Sequence, residues 1–595
     1  SILLVATLHS CKKEEAEKAN LFQTTTTAAR DNDEMMVLGN QLQNPYSVTN
    51  MLIAYQNLRA GNPAFPPMEI TTTHHYLKFS PADTVEFDKL VADTTIEFYD
   101  HPLDYEILVN GNFYRDPDID PSIPFTPQYC VVPINQRNLP SYANTVLAEL
   151  YLPNEHGDDP NIEALVDEAL RITNNLDSNG LRQARSRDKY NPEGIIQAYD
   201  NIAIRHIPLQ YVEVRARRWF ETRTAITDAS GYFKISEQFK RDVNYSIKWE
   251  RNEFEIRNNQ FGQAYFNGPK TKDKWILDIG GAGSEDRSVK YAAIHRAAAR
   301  YYYGDIGGLK RIGNSWRLIF AYWHMEEGTG KNYSNSVQPL PNIKLWGVRS
   351  YDNYFYDINE LIATTFHELG HSSHIKRMGG LLTFATVSRQ IQESWADAIE
   401  WYLTELEYAQ LNKPGSAENY QTWDLSDNKT RYTPMFIDLA DNINQSKQNS
   451  ATLTFPPDRC PEGGSFDGQN CFIASAPTGT NAFHNEQYFL NTPLTGGACP
   501  YPNSISTSQG CRVFEISQYA IPFIYNNGWY YSSVGDLNYP PDEVSFYDLP
   551  RIEDKVIPYA FDMESLKAKL KEHKPSYVSD KRIDILMDFY GNVND

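Results

Sequence analysis

His367-Glu368-Leu369-Gly370-His371, inside the segment Asp357–Met378, is the stretch on which the reading of this 595-residue chain turns. Two histidines four positions apart stand one turn apart on the same face of an α-helix, so both imidazoles can reach a single metal ion. The glutamate beside the first of them can accept a proton from a water on that ion. The flanks specify a helix around these five residues. Asp357 with Glu360 is a capping-box pattern, Lys376 and Arg377 supply a cationic last turn, and Gly379-Gly380 supplies the stop.

Upstream, Trp316–Trp323 and Asn342–Trp346 read as strands, with Ile343–Trp346 expected at the sheet edge, where an extended peptide could pair. Zinc with three protein ligands keeps a fourth position open, so a third donor is needed beyond the two histidines. His374, on the same helix side as His371, could substitute as a ligand, although packing is the favoured reading. The glycine and histidine that a metzincin carries are replaced here by His374 and Arg377, which disfavours that family. The next helical pattern, Ser388–Asp397, offers Glu393 with Asp397 one turn later on the same face.

H-E-x-x-H followed by this E-x-x-x-D resembles the gluzincin metallopeptidases over roughly residues 315–445, with a slightly longer gap between the motifs than the best-known members have. The resemblance implies a zincin-like domain in which His367, His371 and Glu393 bind Zn2+. Glu368 is then the general base and Asp397 the residue that orients a ligand histidine. Tyr432, in Arg-Tyr-Thr-Pro, is the candidate oxyanion donor. The implied function is zinc-dependent hydrolysis of peptide bonds in extracellular proteins or peptides. The alternative is a catalytically inactive surface binding lipoprotein that uses its β modules to hold a protein or glycan.

Composition bounds the partners. With 41% hydrophobic and 13% aromatic residues the chain can bury several cores, and a net charge of −21 argues against nucleic acid. Leu8-x-Ser10-Cys11, after a short apolar run and before Lys12-Lys13-Glu14-Glu15, resembles a bacterial lipobox. It implies a membrane tie through a lipid anchor at Cys11, on the outer membrane or surface of a Gram-negative bacterium. Export permits disulfides, and Cys460/Cys471 and Cys499/Cys511 read as two local pairs, with a four-cysteine zinc site as the competitor.

The expected fold class is multidomain α+β. Residues 1–11 are a signal remnant and lipobox, 12–44 a flexible tether and 45–205 an N-terminal α/β domain. Within the last, Tyr46–Leu58, Pro81–Ala92 and Asn161–Asn175 read as helices and Thr73–Phe79 and Thr95–Tyr99 as strands. Residues 206–258 read as a β-sandwich, whose Thr227-Asp228-x-x-Gly231-x-Phe233 turn resembles regulatory-like or transthyretin-like modules; Arg215, Arg217 and Arg218 are expected on a solvated strand face. Residues 259–450 are the zincin-like metallopeptidase domain, including a helix over Glu285–Tyr303 capped by Ser284. Residues 451–535 are tandem cysteine-containing β repeats, read as an insertion, and 536–595 a helical segment that packs back on the peptidase domain.

Overall fold

The computed structural model describes residues 34–136, 138–176, 188–313, 317–326, 330–332, 343–349, 354–413, 422–423, 432–441, 446–447, 464–466, 471–473, 504–507, 510–513, 523–525, 528–530, 544 and 547–591. The lipobox with Cys11 lies outside the described residues, as do Cys460 and Cys499 and hence both disulfide assignments. Within the expected repeats the described residues form three hairpins, Gly464–Phe466 with Cys471–Ile473, Ser504–Thr507 with Gly510–Val513, and Phe523–Tyr525 with Gly528–Tyr530.

The described chain is mixed α+β. At its N-terminal end, helices Val48–Gly61 and Pro160–Ile172 pack on each other. Their core is shared with a three-stranded antiparallel sheet ordered Gln128–Pro133, His74–Phe79, Asn144–Leu150. Both helices start where side chains supply the missing acceptors: Ser47 Oγ accepts from the Asn50 amide at 3.2 Å, and Asp159 accepts from Asn161 at 2.8 Å with Pro160 opening the helix. The helix expected over Pro81–Ala92 runs Thr84–Val91. Thr95–Tyr99, expected as a strand, makes only a bridge at Tyr99↔Tyr129. The Asp93 carboxylate accepts from both the Thr95 amide (2.9 Å) and hydroxyl (2.6 Å), and this turn diverts the backbone from a ladder.

Two four-stranded sheets follow. One is ordered Tyr265–Thr271, Val243–Lys248, Glu213–Arg218, Glu221–Ile226; the other has Tyr232–Lys234, Glu193–Asp200 and Trp275–Ile279, with Arg205–Pro208 also on Glu193–Asp200. Tyr245 and Trp275 stack across them at 5.4 Å, and Val214, Ala216, Phe233 and Ile247 lie in the same core. These sheets draw on strands from both sides of the expected 206–258 module, because Glu193–Asp200 and Trp275–Ile279 are parallel partners of each other. Phe254–Asn258 leaves the module altogether and pairs in parallel with Leu318–Glu326.

Arg215, Arg217 and Arg218 are buried rather than solvated. The N-terminal unit covers their strand: Arg215 pairs with Glu97, Arg218 lies 3.8 Å from Glu155, and Arg217 donates to the Leu103 carbonyl. Glu250 is the hub of an adjoining network, 2.5 Å from Lys248 Nζ, 3.0 Å from Arg317 and 3.8 Å from Arg215. Burial alone would raise its carboxyl, but the charges of Lys248, Arg317 and Arg215 outweigh that and bring it down to about 2. A carboxyl whose folded pKa is depressed stabilises the fold above its unfolded pKa, and that contribution is lost as pH falls through the folded value. Glu250→Gln should therefore cost about 3 kcal/mol at pH 7. The gap from wild type should close as pH drops from about 4.5 towards about 2, which denaturant titrations at several pH values will read.

The third sheet has six strands, ordered Gly262–Gln263, Phe254–Asn258, Leu318–Glu326, Ile343–Arg349, Gly330–Asn332, with Tyr354–Phe355 also on Ile343–Arg349. Its three long strands are parallel. Ile343–Trp346, expected at the edge, is interior: Leu345 faces Tyr322 on one side and Gly330 on the other. Among the described residues the outer strand is Gly330–Asn332, antiparallel to its neighbour and packed along the helix that carries the two histidines.

Beside this sheet lies helix Arg287–Tyr303, buried along nearly its whole length, with Asp286 rather than Ser284 in the cap position and Gly304 at its end. Ser284 instead donates to Asp286 at 2.9 Å. Helices Leu549–Lys555, Met563–His573 and Asp580–Gly591 close the same core through Ile552, Leu566, Leu570 and Met587. Buried Glu553 accepts from the Ser373 hydroxyl at 2.7 Å and the Lys310 amide at 2.6 Å, so the C-terminal helices grip the histidine-bearing helix directly. Among the described residues no helix is long and apolar enough to cross a membrane.

Candidate metal centre

The site is assembled by two helices. The first, Ile358–Arg377, begins with the capping box: the Glu360 carboxylate accepts from the Asp357 amide at 2.6 Å. It ends at Gly379, whose φ of +79° is a conformation that side-chain-bearing residues adopt at a cost. The second helix, Arg389–Ala409, begins at Ser388, which accepts from the Ile391 amide at 3.4 Å, and is anchored at its back by buried Trp395 against Phe436.

Their crossing is set by Gly370. A Cβ there would meet the Ala396 Cα at 3.0 Å and the Ile399 Cβ at 3.2 Å, so the residue between Leu369 and His371 is small because another helix lies against it. That close approach brings Glu393 opposite His371. Gly370→Ala should push the helices apart by a few tenths of an ångström and cost about 1–3 kcal/mol. A thermal melt checks this, and a variant as stable as wild type would show that the contact is not limiting.

The donor atoms converge. His371 Nε2 lies 3.1 Å and His367 Nε2 3.5 Å from Glu393 Oε2, and the two rings stand edge to face with centroids 4.8 Å apart. One ligand atom from each of His367, His371 and Glu393 falls within 4.8 Å of the others, and all three residues are buried. Two imidazole nitrogens and one carboxylate oxygen are donor types that zinc takes in three-ligand sites. Burial would raise the Glu393 carboxyl, but His371 and the hydrogen bonds from both histidines outweigh it and hold it well below the usual carboxylate range. Glu368 is the opposite case: burial pushes its carboxyl up to about 7 against the pull of His371 and His367.

On the far side of the His367 ring, Nδ1 lies 3.0 Å from Asp397 Oδ1 and 3.1 Å from Glu400 Oε2. Asp397 is thus brought against the ring of His367. Glu400 escaped the sequence reading. Its signal was present, since Glu393, Asp397 and Glu400 follow i, i+4, i+7 spacing on one helix face. Tyr432 is also brought to the site, its ring centroid 6.1 Å from that of His367. The next residue fixes this segment, because the Thr433 amide donates to Ser394 Oγ at 2.9 Å on the second helix.

His374 is not part of the donor group. It is fully buried with its ring edge-on to Phe384 at 5.0 Å, and burial together with His371 pushes its imidazole down to about 3. It is a neutral packing group in this geometry. No protein-family model, curated protein or solved structure matches the chain.

Proposed function

We propose that the chain is a zinc-dependent metallopeptidase that hydrolyses peptide bonds of extracellular proteins or peptides. The observation that carries this reading is the convergence of His367, His371 and Glu393 on one point, with Glu368 on the same helix. In this reading residues 259–450 form a zincin-like domain in which those three side chains would hold Zn2+. Bound there, the ion would supply Lewis acidity and lower the pKa of a coordinated water to about 7. Glu368 takes the proton of the attacking water and passes it to the departing amine, a task suited to a carboxyl in a dry setting beside the ligands. Asp397 and Glu400 hold the His367 ring so that its Nε2 faces the same point as Glu393. Tyr432 is the proposed donor to the charge that develops on the scissile carbonyl oxygen.

Among the described residues Gly330–Asn332 is the end strand of its sheet and lies against the histidine-bearing helix, a placement that suits pairing with an extended peptide substrate. The lipid anchor at Cys11 belongs to the same proposal and puts the site outside the cell. A cleavage profile on a protein-derived peptide library, with and without a zinc chelator, tests the reading. Chelator-sensitive peptide fragments are expected. A folded, zinc-loaded protein that cleaves nothing would instead favour the binding lipoprotein.

A further inference from the structure

We infer that Glu400, rather than Asp397, is the dominant positioning residue of His367. The inference rests on the zinc reading above and departs from what the gluzincin resemblance implies, in which the E-x-x-x-D aspartate has this task. A proton on Nδ1 faces two carboxylates at nearly equal range, 3.0 Å for Asp397 Oδ1 and 3.1 Å for Glu400 Oε2. Distance therefore does not choose between them. Burial does: the Asp397 side chain is 17% exposed and that of Glu400 6%. A carboxylate that water can reach exchanges its hydrogen bond for solvent at little cost, whereas one sealed in a low-dielectric setting loses far more by letting go.

Both carboxylates ride on the helix that carries Glu393, where Ala396 and Ile399 lie against Gly370 of the other helix, so the backbone places the two alike and the difference in burial separates them.

The test is zinc affinity, measured by competition with a chromophoric chelator, for wild type, Asp397→Asn and Glu400→Gln. Both substitutions are near-isosteric, and circular dichroism checks that the apo proteins fold. Glu400→Gln is expected to weaken zinc binding about 10- to 100-fold, the range for partners of ligand histidines, and Asp397→Asn less than about 10-fold. A second readout separates positioning from general stability. In the cobalt(II) form the ring N–H of His367 gives a shifted, solvent-exchangeable proton signal, whose exchange should quicken in Glu400→Gln and change little in Asp397→Asn. Should Glu400→Gln fail to fold, Glu400→Asp, which keeps the charge but shortens the reach, must weaken zinc more than Asp397→Asn does. Wild-type zinc binding with the reverse order of the two variants, or with Glu400→Gln unchanged, would overturn this inference alone. A wild-type protein that takes up no zinc would overturn the metal reading and this inference with it.

Discussion

Glu368→Gln is expected to keep about one zinc per chain while peptide-bond hydrolysis falls about 10²- to 10⁴-fold. The two halves of that expectation come from different atoms. In the proposed function zinc would be held by His367, His371 and Glu393, whose donor atoms lie within 4.8 Å of one another without any contribution from Glu368. Loss of turnover follows because the amide of glutamine cannot accept and return a proton at the reacting water. The substitution preserves volume at a fully buried position, so the helix crossing at Gly370 has no reason to move. Metal analysis and a fluorogenic peptide assay on the same preparation check it. Unchanged turnover would remove Glu368 from the mechanism, and lost zinc would show that it is a ligand or a scaffold instead.

His371→Ala should lower zinc affinity by roughly 100-fold or more. Structural zinc sites bind with an apparent free energy on the order of 10–16 kcal/mol, and on that scale one donor among a few represents about 3 kcal/mol. His371 makes the closest approach to Glu393, 3.1 Å, and is the largest influence holding that carboxyl in its charged form, so its loss also loosens the second ligand. The fold should persist, because the surrounding core is carried by Ile362, Phe366, Leu369, Trp395 and Ile399. His374→Asn is the informative contrast. His374 is equally buried but outside the donor group, so its replacement should lower the melting temperature while leaving zinc affinity near wild type. If the two variants lost zinc equally, His374 would belong to the site.

What the sequence disclosed divides by range. The helix around His367–His371 was legible because its cap, its cationic end and its glycine stop are all local signals. Glu393 and Asp397 were legible as a pair at helical spacing, and Glu400 was equally readable one turn on but had no motif to draw attention to it. Non-local pairing was less accessible. Nothing in Gly330-Lys331-Asn332 marks an outer strand, and its place became clear only from the partner it shares with Leu318–Glu326. The arginines at 215, 217 and 218 looked solvated because charged residues usually are. Their burial depends on Glu97 and Glu155, more than fifty positions away, arriving with the N-terminal unit. The strand pairing around the expected 206–258 module was hidden for a similar reason, as Glu193–Asp200 and Trp275–Ile279 meet only in three dimensions.

Zinc stoichiometry followed through a cycle of chelation and readdition tests the central claim most directly. Purified protein should carry about one zinc per chain, lose it together with peptidase activity on dialysis against chelator, and regain both when zinc is restored. Well-folded protein that neither carries zinc nor takes it up would contradict the account.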